Sequence, residues 1–511
     1  MPIVRFPLSQ PIESRTNSLL KDSYSKNCYF ETRNQTREII KRPGTITFPV
    51  SPALSAGQAQ GLFAFNGNLF ACTNNTLYQI TPVGASSTIG TVTGVNNPIS
   101  FNQTATVPYM TLHNMSHLYT VTTTGTFAVA SQLDTILSAI GLSSQGLVRG
   151  IVYLDGTTYV MTTTGRIYNS AVEDPTTWNS LNFISAEAEP DAGVGIVKHF
   201  NYLVAFGQWS TEFFYDAANA TGSPLSRADS YRLEIGCANG GSIVQIEQSL
   251  IWVGKSKEHG KSVYIMEGLS PVKVSTSYIE RYLNADQTDD VKAYAFKIEG
   301  HTFYVMCLHN TDLTFVYDMD QKQWYNWSIS VLTPFKFNAV SGTAISGKAV
   351  AGVAVDTPGS ASEHYFRATF YTEFNSNYYA IDDDSALIYT INPNAYTDSG
   401  QPIYFKVVTD IMDFGTTNPK FYRRLEIVGD KVAGTMYVRH SDDDYQTWST
   451  YRSIDLSASR SQIYLSGADR RRAWEFLCTS NVALRLDGAE IDFRIGEMDQ
   501  EQQVGGGRYR K

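Results

Sequence analysis

Hydrophobic and polar residues alternate with a period of two over most of this chain, and the alternating runs are short and closed by turn residues. Between residues 60 and 320 one unit recurs: an alternating strand, a tight turn, a second strand, another turn and a third strand. It reads as "LFAFNGNLFACTNNTLYQI" from Leu62, "YMTLHNMSHLYTVTTTGTFAV" from Tyr109, "IVYLDGTTYVMTTTGRIY" from Ile151 and "IVKHFNYLVAFGQWSTEFFY" from Ile196. Two further copies start at Ile243 and Tyr294. The first turns fall near Asn66, Asn114, Asp155, Asn201, Gln248 and Gly300, in steps of 41 to 52 residues. Thr122-Thr123-Thr124-Gly125 returns as Thr162-Thr163-Thr164-Gly165, an offset of 40. Asn-Gly and Asp-Gly at two of the turns suit the positive φ angles of a tight hairpin.

A repeat of this length with several strands per unit predicts a β-propeller, because a lone four-stranded blade cannot bury both its faces. Six units are clear. A seventh in 348–374 carries a weaker pattern and stays open. Residues 402–496 hold about seven more alternating runs with turns every 8 to 15 residues, which fits a β-sandwich. The expected organisation is therefore an irregular, proline-bearing segment at 1–55, a propeller at 56–374, a connection at 375–401, the sandwich at 402–496 and a flexible glycine-rich tail at 497–511. One short helix is expected in "SQLDTILSAIGL" (131–142), capped by Ser131 and ended by Gly141.

Charge changes this picture little. Charged residues make up only 17% of the chain, which suits an all-β protein rich in β-branched and aromatic side chains. The net charge of −9 argues against a general phosphate-tracking role. The short basic runs Arg470-Arg471-Arg472 and Arg508-Tyr509-Arg510-Lys511 read as solvated surface. Five cysteines without a Cys-x-x-Cys spacing predict buried thiols and a protein made in a reducing cytoplasm. No run approaches the roughly 20 apolar residues of a membrane span.

Candidate chemistry is sparse. "SDDDYQTW", from Ser441, approaches the Ser-x-Asp-x-Gly-x-x-Trp hairpin of sialidase propellers, with Tyr445 in place of the glycine. Ser441, Asp443, Thr447 and Trp448 are read as a structural anchor, the polar side chains bonding the turn and the indole packed beneath it. "EDPTTWNS" (173–180) and "DMDQKQWYNW" (318–327) look like the same device. A sialidase would also need an arginine clamp on a carboxylate and a paired acid set. The arginines available are Arg5 and the scattered Arg149, Arg166, Arg227, Arg232 and Arg281. His113 and His117 lack a third ligand by spacing and read as surface residues flanking a turn. The triplets Asp382–Asp384 and Asp442–Asp444 read as exposed turns. No catalytic set, no cofactor and no metal site is expected.

The opening "QPIESRTNSLLKDSYSKNCYFET" (Gln10–Thr32) and "KRPGT" (Lys41–Thr45) decide between classes. Pro11, Glu13-Ser14-Arg15, Asn27-Cys28-Tyr29-Phe30-Glu31 and Pro43-Gly44 resemble the start of the tail-hub or nozzle proteins of short-tailed bacteriophages, the packaged-DNA stabilisation family. "YNSAVEDPTTWNS" and "HTFYVMCLHNTDLTFVYDMDQKQWYNW" are similar to segments of that family too. The usual Tyr-Pro-Glu after the asparagine is replaced here by Cys28-Tyr29-Phe30-Glu31. The resemblance implies a non-enzymatic virion protein of the phage tail, made in the host cytoplasm. Its implied partners are further copies in a ring, six in number, the head-to-tail adaptor, and tail spikes or fibres. Packaged double-stranded DNA would pass through the lumen without sequence-specific binding. A sialidase-like or glycan-binding propeller is the alternative.

Overall fold

A computed structural model describes residues 3–8, 23–33, 36–94, 97–286, 290–331 and 362–496. The chain divides into two units, one formed by Pro43–Trp327 with Tyr365–Ala395 and the other by the remaining segments.

The first unit is the expected β-propeller. Blade 1 is the antiparallel meander Ala59–Phe65, Asn68–Thr73, Thr76–Ile80 and Ser86–Thr91. Five more meanders follow in chain order, over 100–129, 152–185, 193–227, 236–273 and 291–331. A further sheet of the same form combines Ala368–Phe374, Asn377–Asp382 and Ile388–Asn392 with Gly44–Thr47, a strand from near the start of the chain. The innermost strands touch in sequence: Ala59–Phe65, Ser100–Gln103, Val152–Leu154, Gly193–His199, Val244–Ile246, Val291–Ile298, Ala368–Phe374, and back to Ala59–Phe65. Six consecutive blades are thus closed into a ring by a seventh sheet.

The blades hold together by burying apolar faces against each other. Leu62, Leu69 and Ile80 of blade 1 pack with Phe374, Ile381 and Ile388 of the closing sheet. Phe206, Phe213 and Trp252 do the same between blades 4 and 5. Each such side chain stabilises the fold by about 1.5–3 kcal/mol.

Two expectations need correction, and two others lie outside the described residues. Residues 375–401, read as a connection, contain two strands of the closing sheet; Asn375 and Ser376, at φ 47° and 58°, make the tight turn between the sheet's first two strands. The residues 348–356 proposed for a seventh unit lie outside the described residues, as does the tail 497–511. The described parts of segment 1–55 are largely strand and not irregular: Ile3–Phe6, Tyr24–Lys26, Cys28–Arg33, Thr36–Lys41 and Gly44–Thr47. Except for the hairpin of Cys28–Arg33 with Thr36–Lys41, these strands find their partners hundreds of residues away, so no local pattern announces them.

The Thr-Thr-Thr-Gly repeat also has a different meaning. The first copy closes the turn between the third and fourth strands of blade 2, the second the turn between the second and third strands of blade 3. Both copies fold alike: Thr122 Oγ1 accepts from Thr126 N at 3.0 Å, and Thr162 Oγ1 from Arg166 N at 3.0 Å. The repeat reports turn chemistry, which is local, and not blade register. The expected helix is present as Ser131–Ala139, but Ser131 makes no capping bond. Gly141, at φ 77°, ends it as expected. A second helix, Ser277–Ala285, buries Ile279 and Leu283 one turn apart.

The second unit is the β-sandwich. One sheet runs in the order Cys28–Arg33, Thr36–Lys41, Arg485–Ile495, Lys420–Gly429 and Ser461–Tyr464, with Ile3–Phe6 on Arg485–Ile495 and Ala468–Asp469 on Lys420–Gly429. The other contains Tyr24–Lys26, Phe405–Val408, Ala473–Cys478, Thr435–Ser441 and Arg452–Asp455. Leu425, Ile427, Ile491 and Phe493 of the first and Val407, Met436, Val438 and Phe476 of the second are buried. Within this core Arg42 is fully buried and satisfied. It donates to Asp398 Oδ1 at 3.0 Å, Asn27 Oδ1 at 2.9 Å and the Ser328 carbonyl at 2.8 Å. A buried charge this well partnered avoids the desolvation cost that an unpaired one would carry.

Candidate functional site

Four turns on one side of the propeller, the side that carries the crossovers between blades, enclose a polar cleft of about 380 Å³ at blades 4 and 5. Glu189 comes from the crossover 186–192, and Trp209 from the turn between Tyr202–Gly207 and Thr211–Asp216. Glu234 and Ile235 come from the crossover 228–235. Ser256, Lys257, Glu258 and His259 come from the turn after Ser249–Lys255. Trp209 is held in place by its neighbours. Asp191 Oδ2 accepts from Trp209 N at 2.7 Å and from Ser210 N at 3.1 Å. Lys255 Nζ lies over the indole, 4.7 Å from the ring centre, an attraction of the cation for the ring's electron-rich face.

Ion pairs wall the cleft. Lys257 Nζ donates to Glu189 at 3.0 Å and Arg232 donates to its other oxygen. The bond from Lys257 and both cations hold the Glu189 carboxyl below its ordinary pKa. In an adjoining hollow Arg227 pairs with Glu212 at 2.7 Å, and burial pushes the Glu212 carboxyl up. An aromatic floor rimmed by carboxylates suits a cationic group. The sequence reading named Arg227 and Arg232 but missed Trp209 and Asp191. The available signal was a tryptophan in a polar turn between two apolar strands.

The arginines are not gathered into a clamp. Arg5 sits on a sandwich strand 3.4 Å from Asp487, Arg166 lies over the Phe183 ring, Arg227 and Arg232 pair with separate glutamates, and Arg281 lies on the second helix.

The hairpin anchor forms in part. Ser441 Oγ donates to Asp443 at 2.9 Å and accepts from Tyr445 N at 3.0 Å. Asp443 accepts from Thr447 N at 2.8 Å and from the Thr447 hydroxyl at 2.5 Å. Trp448 departs from expectation: it is half-buried, with its ring 6.0 Å from Tyr445 and the Arg439 guanidinium 4.8 Å away. The stretch 173–180, expected as a turn, is instead the start of the strand Asp174–Ser185, where Trp178 is buried and donates to the Pro175 carbonyl at 2.8 Å. Trp324 likewise is buried and donates to the Val274 carbonyl.

Several residues read as surface are inside. Asp382 and Asp383 are buried, and Asp383 accepts from Lys292 and Tyr365, each at 2.8 Å. Arg472 is buried and grips Asp442 through two bonds of 2.6 and 2.7 Å, with the Tyr422 ring 4.2 Å away. His113 is fully buried. Its Nε2 donates to the Gly150 carbonyl at 2.9 Å and its Nδ1 accepts from Met115 N, and burial lowers its pKa to about 4. His117 pairs with Asp134 at 2.9 Å. Paired spacing in sequence cannot distinguish a surface turn from one covered by a neighbouring blade. Among the described residues no group of three or more His, Cys, Asp or Glu side chains is placed to hold a metal ion. Nor is any described helix long and apolar enough to cross a membrane.

A family model described as Bacteriophage P22 Gp10, beta-propeller, the phage stabilisation family, matches residues 19–355. The chain belongs to this family. It is accordingly a structural component of the virion, a phage tail protein built on a propeller. No curated protein matches this phage stabilisation protein in sequence. Solved structures with similar folds include PorZ of Porphyromonas gingivalis, a bacterial surface component of the type-IX secretion system, at 10% identity and TM-score 0.41. That match covers 73% of this chain and 44% of PorZ, so the phage protein spans less than half of that relative. BamB from Moraxella catarrhalis is 10% identical with TM-score 0.37, covering 76% of this chain and 97% of BamB. The computationally designed Ika8 protein is 11% identical with TM-score 0.36, covering 75% and 100%.

Proposed function

We propose that this protein is the hub or nozzle of a short phage tail. Copies close into a ring, six in number, that extends the DNA conduit below the head-to-tail adaptor, retains the packaged genome and offers attachment surface to spikes or fibres. The family match over the propeller carries this reading. Three physical points support it. A head-to-tail interface that closes on itself produces a cyclic ring. An acidic chain, at −9, presents little that phosphates adhere to, so DNA can slide past. A closed propeller leaves only short, protected strand edges and makes a rigid scaffold. The role requires no catalysis and no cofactor.

The sandwich is the unit we assign to the adaptor, together with the N-terminal segment woven into it. Deleting residues 1–40 is a poor test, because it removes four sandwich strands along with any docking residues. The decisive experiment assembles particles without this protein. They should package DNA and then release it, seen as nuclease-sensitive genome and empty heads. Particles that keep their genome and fail only to adsorb to cells would replace the conduit role with receptor binding.

A further inference from the structure

Arg149 is a cation of the propeller that no anion in the fold answers. It stands just before Val152–Leu154, the innermost strand of blade 3. Its carbonyl accepts from Ile196 N of blade 4 at 2.8 Å. Its Cβ lies so near Gly240 of blade 5 that a Cβ added to that glycine would come within 2.5 Å of it. A residue rooted in blade 3 that touches both blade 4 and blade 5 sits on the axial side of the ring, where successive blades converge.

The joints between innermost strands at this level form a collar. The Gln60 carbonyl accepts from Ile99 N at 2.7 Å between blades 1 and 2, and Ser100 Oγ accepts from Gly150 N at 2.9 Å between blades 2 and 3. Lys292 donates to Asp383 at 2.8 Å between blade 6 and the closing sheet, so those two charges cancel. Arg149 has no such counterpart. Among the described residues its side chain makes no hydrogen bond and no ion pair, and its Nη1 is buried without an acceptor. The residue is half-buried, and burial lowers its pKa to about 10 with no carboxylate near enough to offset the effect. It is still a cation at neutral pH.

A guanidinium withdrawn from water without a partner carries a desolvation cost that a bound anion removes. Its planar fork matches two oxygens of an oxyanion at once. We infer that Arg149 anchors an anion site at the axial opening of the propeller, which takes a small tetrahedral oxyanion of the phosphate or sulfate class through two guanidinium hydrogen bonds. The site rests on the propeller alone and is independent of the conduit reading. The net charge of −9 repels anions in general, so a saturable site would be a local property of this arginine.

Titration calorimetry of the full-length protein with inorganic phosphate, at an ionic strength held constant with chloride, should give one saturable site per chain. Arg149→Gln, with propeller melting verified, should remove it. Arg149→Lys keeps the charge but loses the fork, and should weaken binding about tenfold. Arg166→Gln, at the arginine over Phe183, should leave it unchanged. Crystals soaked in selenate should show an anomalous peak beside the Arg149 guanidinium, a readout that needs no variant to fold. No saturable binding up to about 10 mM phosphate, equal affinity in Arg149→Gln, or selenate bound only elsewhere would each overturn the assignment.

Discussion

Asp383 offers the sharpest test of how the propeller closes. Its side chain is 1% exposed, and that of Lys292, whose Nζ is 2.8 Å away, is 11% exposed. The same carboxylate accepts the Tyr365 hydroxyl at 2.8 Å and lies 3.5 Å from His309. The Asp383 carbonyl accepts from Ala59 N at 3.0 Å, so the residue joins blade 6, the closing sheet and blade 1. Asp383→Ala strands a buried ammonium and takes from the Tyr365 hydroxyl its closer acceptor, leaving only Asp384 at 3.5 Å. Breaking one partner of a buried pair costs about 3–5 kcal/mol, against about 0–1 kcal/mol for an exposed pair. Urea unfolding should therefore show the propeller transition weakened by about 3–5 kcal/mol, with the sandwich transition unmoved. Adding Lys292→Met to Asp383→Ala should recover part of the loss, because the stranded charge is then gone. A loss below about 1 kcal/mol, or no recovery in the double variant, would mean that the cluster behaves like a solvated surface pair and the ring is held by apolar packing alone.

Other outcomes follow from single groups. His113 is neutral in the fold, with a pKa lowered to about 4 against about 6.5 unfolded; the unfolded chain binds the extra proton between these values, so propeller stability should fall as pH drops from 6.5 towards 4, and His113→Gln should flatten that slope in a pH series of melts. Because Trp448 is half-buried, Trp448→Ala should cost the sandwich only about 1–2 kcal/mol in chemical denaturation, whereas Trp178→Ala, at a buried indole, should cost the propeller about 3–5 kcal/mol. All five cysteines are free and buried, so thiol titration should return about five per chain after denaturation and close to none in the native protein within minutes. Arg472→Ala should destabilise the sandwich by about 2–5 kcal/mol, since it opens a void beside Tyr422 and Trp474 and leaves the Ser466 carbonyl without its donor, while the exposed Asp442 turns to water; a surface-like change below about 1 kcal/mol in the same melts would refute that placement.

What could be read from the sequence was what local pattern encodes. Strand alternation and Asn66-Gly67 and Asp155-Gly156 turns, whose four φ angles lie between 46° and 85°, gave the blades and the six-unit core. The sandwich strands were equally plain, since Lys420–Gly429 and Arg485–Ile495 alternate buried and exposed along much of their length. The closing sheet was hidden because its fourth strand comes from some 320 residues earlier in the chain, and because Asp382-Asp383 looks solvated unless one knows that Lys292 waits opposite. Arg472 misled for the same reason: burial of a charge depends on a distant partner, here Asp442, that composition cannot pair with it. The cleft was not legible: of its surroundings the sequence singled out only Arg227 and Arg232, since its side chains are drawn from four separate turns.

The strand Gly44–Thr47 imposes an order of events on biosynthesis. It leaves the ribosome early, yet its hydrogen-bonding partner, Ile388–Asn392, is made more than 300 residues later. At roughly 5–20 residues per second, this means on the order of 20–70 seconds during which the strand has no sheet to join. Blades 1 to 6 can form as they emerge, each from its own neighbouring strands, while the ring stays open at one seam. The N-terminal strand Ile3–Phe6 waits longer still, for Arg485–Ile495. A nascent chain stalled before residue 388 would hold six blades and an unsealed edge, the state in which strand exchange with a second chain or capture by a chaperone competes with closure.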